Sequence, residues 1–540
     1  MGEMVDDQAT PDDERDLAMK QRDYLFLGLL SVIVILGVAS LEQVPGYMDA
    51  DYYYATGKQL AAGEGFFEPF LWNYLDDPTG FPHPSHTYWM PLVSMLAGLI
   101  PGITGSSSWW AARVPFLLAA AFLPLLTAHL AYSLTSGRSL SIASGLLAVF
   151  PGFYLPFLPT TDTFSIYMLL GGLFFLVLIK SYKADKPSFL YPLLLGLLAG
   201  LLHLTRADGL LWLAIALAAI CFTPGIRTGD KLIFIKLITG VMAVILGYLL
   251  IMGWWFARNA LAFGSILAPG GLKMLWLISY DQIFTYPATE ITFGKWIESG
   301  VGAIVKVRTW STGMNLSTTL GVQGGIILLP FMIVGILQMR HVKVIAFAVL
   351  SWLLTLAAMS LVFPFAGARG GFFHSGAAQQ TIWWVMAPIG LQAAVHWLAS
   401  RRKWEEKKAQ ATFRGGMVGM TILITLVVLI TRLPGWGDEA LNYQSLQVFL
   451  EQSGAETGEV VIVANPPGFY LASSHPCIAL PEGTPETILA LAERYQAKYL
   501  ILEEGSITAG LQVVYDNPDQ FSQFRYLGMV KEARVFAIAP

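Results

Sequence analysis

Charge is what this 540-residue sequence has least of. Asp, Glu, Lys and Arg together make up 13% of it, whereas 55% is hydrophobic and the mean hydropathy is +0.57. A soluble domain keeps about a quarter of its residues charged, so the composition excludes an ordinary soluble protein and puts most of the chain in lipid. A basic excess is also missing: the formal net charge of −4 gives no field for a polyphosphate backbone, which excludes nucleic acid as a partner. Cysteine is nearly absent. Cys221 falls in an apolar run and Cys477 in a polar C-terminal region, which suggests neither a disulfide framework nor a cysteine metal site. The N-terminus, MGEMVDDQATPDDERDLAMKQRDY, is acid-rich where a cleaved signal peptide is basic and then apolar. Asp6 stands where myristoylation needs Ser or Thr. Residues 1–23 therefore read as a disordered cytoplasmic tail and 24–41 as an uncleaved signal anchor.

Long hydrophobic runs are abundant. A spanning helix needs roughly 20 mostly apolar residues. Candidate spans are 24–41, 109–134, 141–158, 163–181, 188–204, 207–223, 231–253, 321–339, 343–363, 377–399 and 413–433, about eleven in all. The shorter run 88–103 decides the orientation of everything after it. If it spanned, Arg138, the lysines 180, 183 and 186, Arg340 with Lys343, and RRKWEEKK at 401–408 would lie outside, against the positive-inside rule. If it is a half-helix at the membrane surface, all of these fall in the cytoplasm together with Lys20, Arg22, Arg227 and Lys231. The second reading makes the chain a multi-pass protein of the cell membrane with its N-terminus cytoplasmic and its C-terminus extracytoplasmic.

That topology gives the outside two long loops, 42–108 and 254–320, short turns near 159–162, 205–206 and 364–376, and a tail from 434. Amphipathic pieces such as GGLKMLWLISYDQIF and FGKWIESGVGAIVKVRTW suit helices lying in the interface. In the tail, VVIVAN, KYLILEE and ARVFAIA read as strands and PETILALAERYQA as an amphipathic helix. The expected fold is thus an α-helical polytopic membrane domain over 24–433 with interfacial helices in the first external loop. A small external α/β domain follows over 434–540. It carries no phosphate loop or catalytic triad, so a positioning or packing role is expected of it.

Charged residues at a membrane boundary are costly and often functional, and here they share a side. Asp49 and Asp51 follow the first span, in MDADYYYATGKQL, and Asp162 lies in PFLPTTDTFSIYM. Arg206 and Asp208 lie in HLTRADGLLWL, Arg258 with Asn259 in WWFARNALAFGSILAP, and Arg369 with His374 in GARGGFFHSG. Singly, each has a structural reading. Asp49 can cap a helix running from about Asp51 to Ala62 and stopped by Gly63, and Arg206 can pair with Asp208. Arg258 can reach lipid headgroups, His83 and His86 of FPHPSHTYWMPL can be loop residues, and His374 can make a structural hydrogen bond. Their common sidedness points to one external cavity. There a carboxylate acts as general base on a hydroxyl while guanidinium groups hold a phosphate and stabilise it as it leaves. A lipid-phosphate sugar reaches such a site without any nucleotide.

These motifs, in this order, resemble the GT-C superfamily of membrane glycosyltransferases, and within it the protein O-mannosyltransferases and the lipid A aminoarabinose transferases. The matching features are Asp-x-x-Tyr-Tyr after the first span, an acid in the second external loop, a Thr-Arg-x-Asp-Gly turn, and Arg-Asn-x-x-x-x-Gly after a later span. The resemblance covers about 24–433. It implies inverting transfer from a polyprenyl-phosphate sugar to an acceptor, with Asp49 as the base. It also implies Arg206, Arg258 and Arg369 on the donor phosphate, and a divalent metal, magnesium or manganese, at Asp162 with Asp51 its neighbour. FPHPSHTYWMPL resembles the Pro-rich segment that opens the half-helix of the first loop. The sequence departs from the family in three places. Ala50 follows Asp49 where the named branches have Glu, His83 stands near the place of a common Lys, and the Trp-Trp pairs read WWAAR, WWFAR and WWVMA. The absence of Trp-Trp-Asp disfavours oligosaccharide transfer to asparagine. The competing readings are a transporter or lipid flippase with an outward-facing polar cavity, and a scaffold whose tail binds a wall partner. Transporters place ionisable residues near the midplane and often carry internal repeats. Here the charges sit at the boundary and no repeat is evident.

Overall fold

The computed structural model describes residues 18–184, 188–222 and 231–539. Most of the expected cytoplasmic tail, with Lys186 and Arg227, lies outside the described residues. α-Helices of eight or more residues are numbered here in chain order. The first are α1 Gln21–Leu41, α2 Met48–Ala61, α3 Leu92–Thr104, α4 Trp109–Thr135, α5 Arg138–Val149, α6 Thr163–Lys183, α7 Leu190–Thr205, α8 Leu210–Cys221 and α9 Lys231–Phe263. They are followed by α10 Val301–Thr318, α11 Leu329–Gln338, α12 Lys343–Ala357, α13 Gln380–Arg402, α14 Glu406–Arg432, α15 Asp438–Gln452, α16 Pro466–Ser473 and α17 Pro485–Tyr495. Among the described residues seven segments are long and apolar enough to cross a membrane: Gln21–Leu41, Trp109–Thr135, Thr163–Lys183, Phe234–Phe263, Lys343–Val362, Pro364–Arg402 and Glu406–Arg432. The chain is a multi-pass membrane protein.

The other four expected spans are shorter helices, and in two of them the sequence shows why. The run 141–158 breaks at Val149 because Pro151 disfavours helical geometry in Phe150 before it, and a 3-10 turn, Gly152–Phe157, follows. The run 321–339 holds a π turn at Thr319–Gln323 and left-handed backbone at Gly325 and Ile326, so only Leu329–Gln338 is regular helix. The runs 188–204 and 207–223 become α7 and α8, separated by the Arg206–Gly209 turn. α3, on the run 88–103, has 13 residues, about 20 Å at 1.5 Å per residue, and is too short for a core of about 30 Å. The expected loop 254–320 is also largely helical. α9 runs on to Phe263, and α10 takes up most of the piece read as interfacial.

α1 is pinned at both ends. Arg138 donates twice to the Asp23 carboxylate, at 2.7 Å each. At the other end the fully buried Arg113 donates to the carbonyl of Glu42 at 3.1 Å and to that of Ala39. α7 and α9 pack through small residues, as membrane helices do: a Cβ on Gly196 would run into the carbonyl of Val244.

The C-terminal region forms a sheet with β4 Val460–Val463, β5 Cys477–Ala479, β6 Ala497–Glu503, β7 Phe524–Val530 and β8 Ala533–Ile538. The loop between α2 and α3 contains the earlier strands β1 Phe67–Glu68, β2 Phe70–Leu71 and β3 His83–Pro84. β2 joins the C-terminal sheet, whose order is β2-β5-β4-β6-β8-β7, with β2 parallel to β5. The six-stranded sheet is thus built from both the first loop and the tail. The Tyr74 hydroxyl adds a hydrogen bond to the carbonyl of Ala479.

Candidate active site

A cavity of about 400 Å³ opens between α2, the Arg206–Gly209 turn, the end of α9 and the segment between α12 and α13. Asp49, Arg206, Asp208, Asn259, Arg369 and His374 line it, and so do Trp72, Trp89 and three tyrosines, Tyr53, Tyr88 and Tyr280. α2 begins at Met48, so Asp49 lies in its first turn, and the cap position is Tyr47, which makes no side-chain cap bond. This corrects the expected start near Asp51. It also places the Asp49 carboxylate at the positive end of a helix.

Behind Asp49 stands His374. Its Nε2 lies 3.6 Å from Asp49 Oδ2 and its Nδ1 3.5 Å from Asp162 Oδ1. The ring stacks on Phe164 at 4.1 Å, and Nδ1 is 3.0 Å from Thr163 Oγ1. Asp162 caps α6 through the Thr163 amide and accepts from the Tyr47 hydroxyl at 2.6 Å. Thr161 donates to the carbonyl of Ala50 at 2.9 Å, tying this turn to α2. The local chain explains the placement of His374: the helix breaks at Arg369 and Gly370, and Gly370 takes φ 114°, a conformation favoured by glycine. Burial pushes the Asp49 carboxyl up to about 6, with His374 opposing and Asp162 reinforcing. Asp162 is held below the usual range: burial raises it, but His374, Tyr47 and the Thr163 amide outweigh that.

The ligand atoms of Asp49, Asp162 and His374 lie within 4.8 Å of one another, a group that can hold a metal ion. Two carboxylates with an imidazole fit manganese better than magnesium, which favours oxygen alone. Asp51 is not in this group. Residues two apart on a helix do not share a face, and Asp51 points instead at the N-terminus of α16, where Asn465 Nδ2 donates to it at 3.2 Å. A Cβ on Gly468 would lie 2.8 Å from the Asp51 carboxylate, so glycine is required for that approach. Asn465 also donates to Glu439 at 3.0 Å, and the Tyr443 hydroxyl lies 2.9 Å from Glu439 and 3.3 Å from Glu503. Burial and then Glu439 push the Asp51 carboxyl well above its usual range, and push that of Glu503 up to about 7.

Three predictions arise here. Asp51→Asn is expected to keep turnover within about tenfold of wild type, because its carboxylate faces the C-terminal region. Asn465→Leu, which leaves that buried carboxylate unpaired, is expected to cost about 1–3 kcal/mol, read as a lower melting temperature. In addition, a carboxyl with a raised folded-state pKa stabilises least when ionised. Stability is therefore expected to fall as pH rises from the unfolded value of 4.5 through about 7, and Glu503→Gln to flatten that part of the melting-temperature profile.

Arg206 donates from Nε to Asp208 at 2.9 Å and from its terminal nitrogen towards Gly371 O and Ser375 Oγ at 3.4 and 3.3 Å. It therefore also fastens the kinked segment carrying Arg369 and His374. Arg369 lies over the Tyr280 ring at 4.7 Å. Arg258 sits inside α9 rather than after it and is not among the cavity-lining residues. It donates to the carbonyls of Phe66 and Ser85 at 3.0 and 2.9 Å and to Asn259 at 3.1 Å, and lies over the Trp255 ring. This ties the first loop to α9. His86, buried, lies 2.7 Å from Ser85 Oγ and 2.9 Å from Ser94 Oγ, and burial and then Arg258 push its imidazole well below the usual range. His83 pairs with Asp76 at 2.7 Å. Neither histidine lines the cavity. Sequence reasoning missed Tyr47, Tyr53, Tyr88, Tyr280 and Asn465. Four of these lie within stretches already quoted, but the three tyrosines there read equally well as interface anchors and Asn465 as the end of a strand.

No protein-family model matches the sequence, and no curated protein matches it by sequence. Solved structures do match. The apo oligosaccharyltransferase of Archaeoglobus fulgidus aligns with TM-score 0.51 and 12% identity over 89% of this chain and 69% of that one. ArnT from Cupriavidus metallidurans bound to undecaprenyl phosphate aligns with TM-score 0.52 and 10% identity over 95% and 97%. A mutant of the mycobacterial arabinofuranosyltransferase AftD aligns with TM-score 0.50 and 13% identity over 97% of this chain but 42% of that protein. At such identities the likeness is one of fold alone, shared with these three glycosyltransferases.

Proposed function

We propose that this chain is a membrane glycosyltransferase that moves a sugar from a polyprenyl-phosphate donor to an acceptor hydroxyl on the extracytoplasmic face, with inversion. The observation that carries the reading is the convergence in one cavity of a carboxylate, Asp49, with two guanidinium groups, Arg206 and Arg369. The GT-C fold supports it, as does a neighbour of that fold whose structure holds undecaprenyl phosphate. The basic loops support an outer-face cavity.

In this mechanism Asp49 takes the proton of the acceptor hydroxyl as its oxygen attacks the anomeric carbon from the side opposite the phosphate. The carbon–oxygen bond to the donor phosphate breaks, and the leaving polyprenyl phosphate keeps the electron pair. Arg206 and Arg369 stabilise the charge it acquires. His374 and Asp162 hold Asp49, and Asp208 orients Arg206. Asp49, Asp162 and His374 would hold a manganese ion, which would add positive charge to the cavity. Arg258 belongs to the scaffold of the first loop, and Asp51 to its contact with the C-terminal region. The domains are proposed as 24–433 for catalysis and 434–540 for holding the first loop.

The test is transfer by the purified full-length protein from undecaprenyl-phosphate sugars in proteoliposomes, with the product's anomeric configuration read by NMR. Inverted product supports the reading and retained configuration refutes the mechanism. Movement of the lipid across the bilayer with no covalent product would favour the flippase.

A further inference from the structure

α6 carries a second polar cluster at the end remote from the catalytic cavity. The helix has 21 residues between the Asp162 cap and Lys183, about 30 Å at 1.5 Å per residue, so nothing there touches the chemistry. A second cavity, of about 440 Å³, opens at that end between α4, α6 and the start of α7. Lys180 and Lys183, three apart on one helix face, both line it. Opposite them stand His129, Tyr132 and Ser133 of α4 and Tyr191 of α7. Lys183 donates to the carbonyl of Ser133, and Tyr24 of α1 lies 3.2 Å from His129 Nδ1. Arg138, at the same end of the bundle, takes Asp23, whereas the ion pairs among the described residues include neither Lys180 nor Lys183. Two ammonium groups with hydroxyl donors beside them make a site for a phosphate anion.

We propose that this cavity binds the phosphate of an anionic lipid headgroup. The apolar flank selects a lipid over free phosphate: Phe189 and Leu190, next to Tyr191, are 49% and 55% exposed and give acyl chains a surface beside the charged pocket. Basic pockets between membrane helices on the positive side take lipid phosphates in this way, and this is the end that the basic loops assign to the cytoplasm.

The experiment is native mass spectrometry of the full-length protein titrated with phosphatidylglycerol, with phosphatidylcholine and with inorganic phosphate in separate arms. Phosphatidylglycerol is expected to bind in preference to phosphatidylcholine. Each lysine near a membrane surface is worth about fivefold, so Lys180→Gln with Lys183→Gln is expected to weaken phosphatidylglycerol binding about 25-fold without altering the melting temperature. Lys180→Arg with Lys183→Arg, which keeps the charge, is expected to retain it. Equal binding of the two lipids, or unchanged affinity in the glutamine variant, would overturn the site. Inorganic phosphate bound through the same lysines with no lipid bound would overturn the lipid as its occupant.

Discussion

Asp49→Asn is expected to lower the turnover of sugar transfer about a thousandfold, within the 10²–10⁴ that a positioned general base supplies, while donor binding and the melting temperature stay near wild type. The amide keeps the size of the carboxylate and cannot take a proton. The pH profile adds a second readout. With the Asp49 carboxyl pushed up to about 6 and the base active only when ionised, kcat/KM is expected to rise about tenfold per pH unit below about 6 and to level off above it. His374 opposes the upward shift, so in metal-free buffer His374→Gln is expected to move the rising limb to higher pH. An Asp49→Asn protein with full activity on a verified polyprenyl-phosphate donor would remove Asp49 as base. A limb unmoved in His374→Gln would separate the histidine from it.

Arg206→Met carries the second large effect. In the proposed mechanism Arg206 meets the donor phosphate, and it also bonds Asp208 and reaches Gly371 and Ser375. Its loss removes a charge-assisted contact and releases the segment that presents Arg369 and His374. Truncating one partner of a buried charged hydrogen bond costs about 2–5 kcal/mol, so kcat/KM is expected to fall about 30- to 4,000-fold, with weaker retention of undecaprenyl phosphate. Arg206→Lys is expected to rescue little, because an ammonium cannot reproduce the planar fork of donors. Retention of the lipid phosphate at wild-type affinity in Arg206→Met would move the donor site elsewhere in the cavity.

Much of the frame was legible in the sequence. Seven of the expected spans coincide with helices long enough to cross a bilayer, because hydropathy over about 20 residues is a local sum. The half-length of α3 was legible for the same reason. The breaks inside 141–158 and 321–339 were not allowed for, although Pro151, Gly324 and Gly325 mark them, because a window average is insensitive to a single helix-breaking residue. Arg258 was misplaced by a related effect: the helix continues past the end of its most apolar window, through WWFARNALAF.

The sequence by itself determined that this is a membrane protein and that its acids and arginines gather near helix ends. It also determined the order of motifs that resembles the GT-C superfamily, since all of this depends on composition and short-range order. Only the tertiary structure decided which of these residues meet. Asp49 and Asp51 are equivalent as letters in MDADYYY, yet two residues turn a helix by about 200°, so the start of α2 at Met48 sends one carboxylate into the cavity and the other to Asn465. The pairing of Phe70 and Leu71 with a strand some four hundred residues later likewise has no local signature. It depends on chain segments brought together by the packing of the whole molecule, and that packing also brings His374 between Asp49 and Asp162.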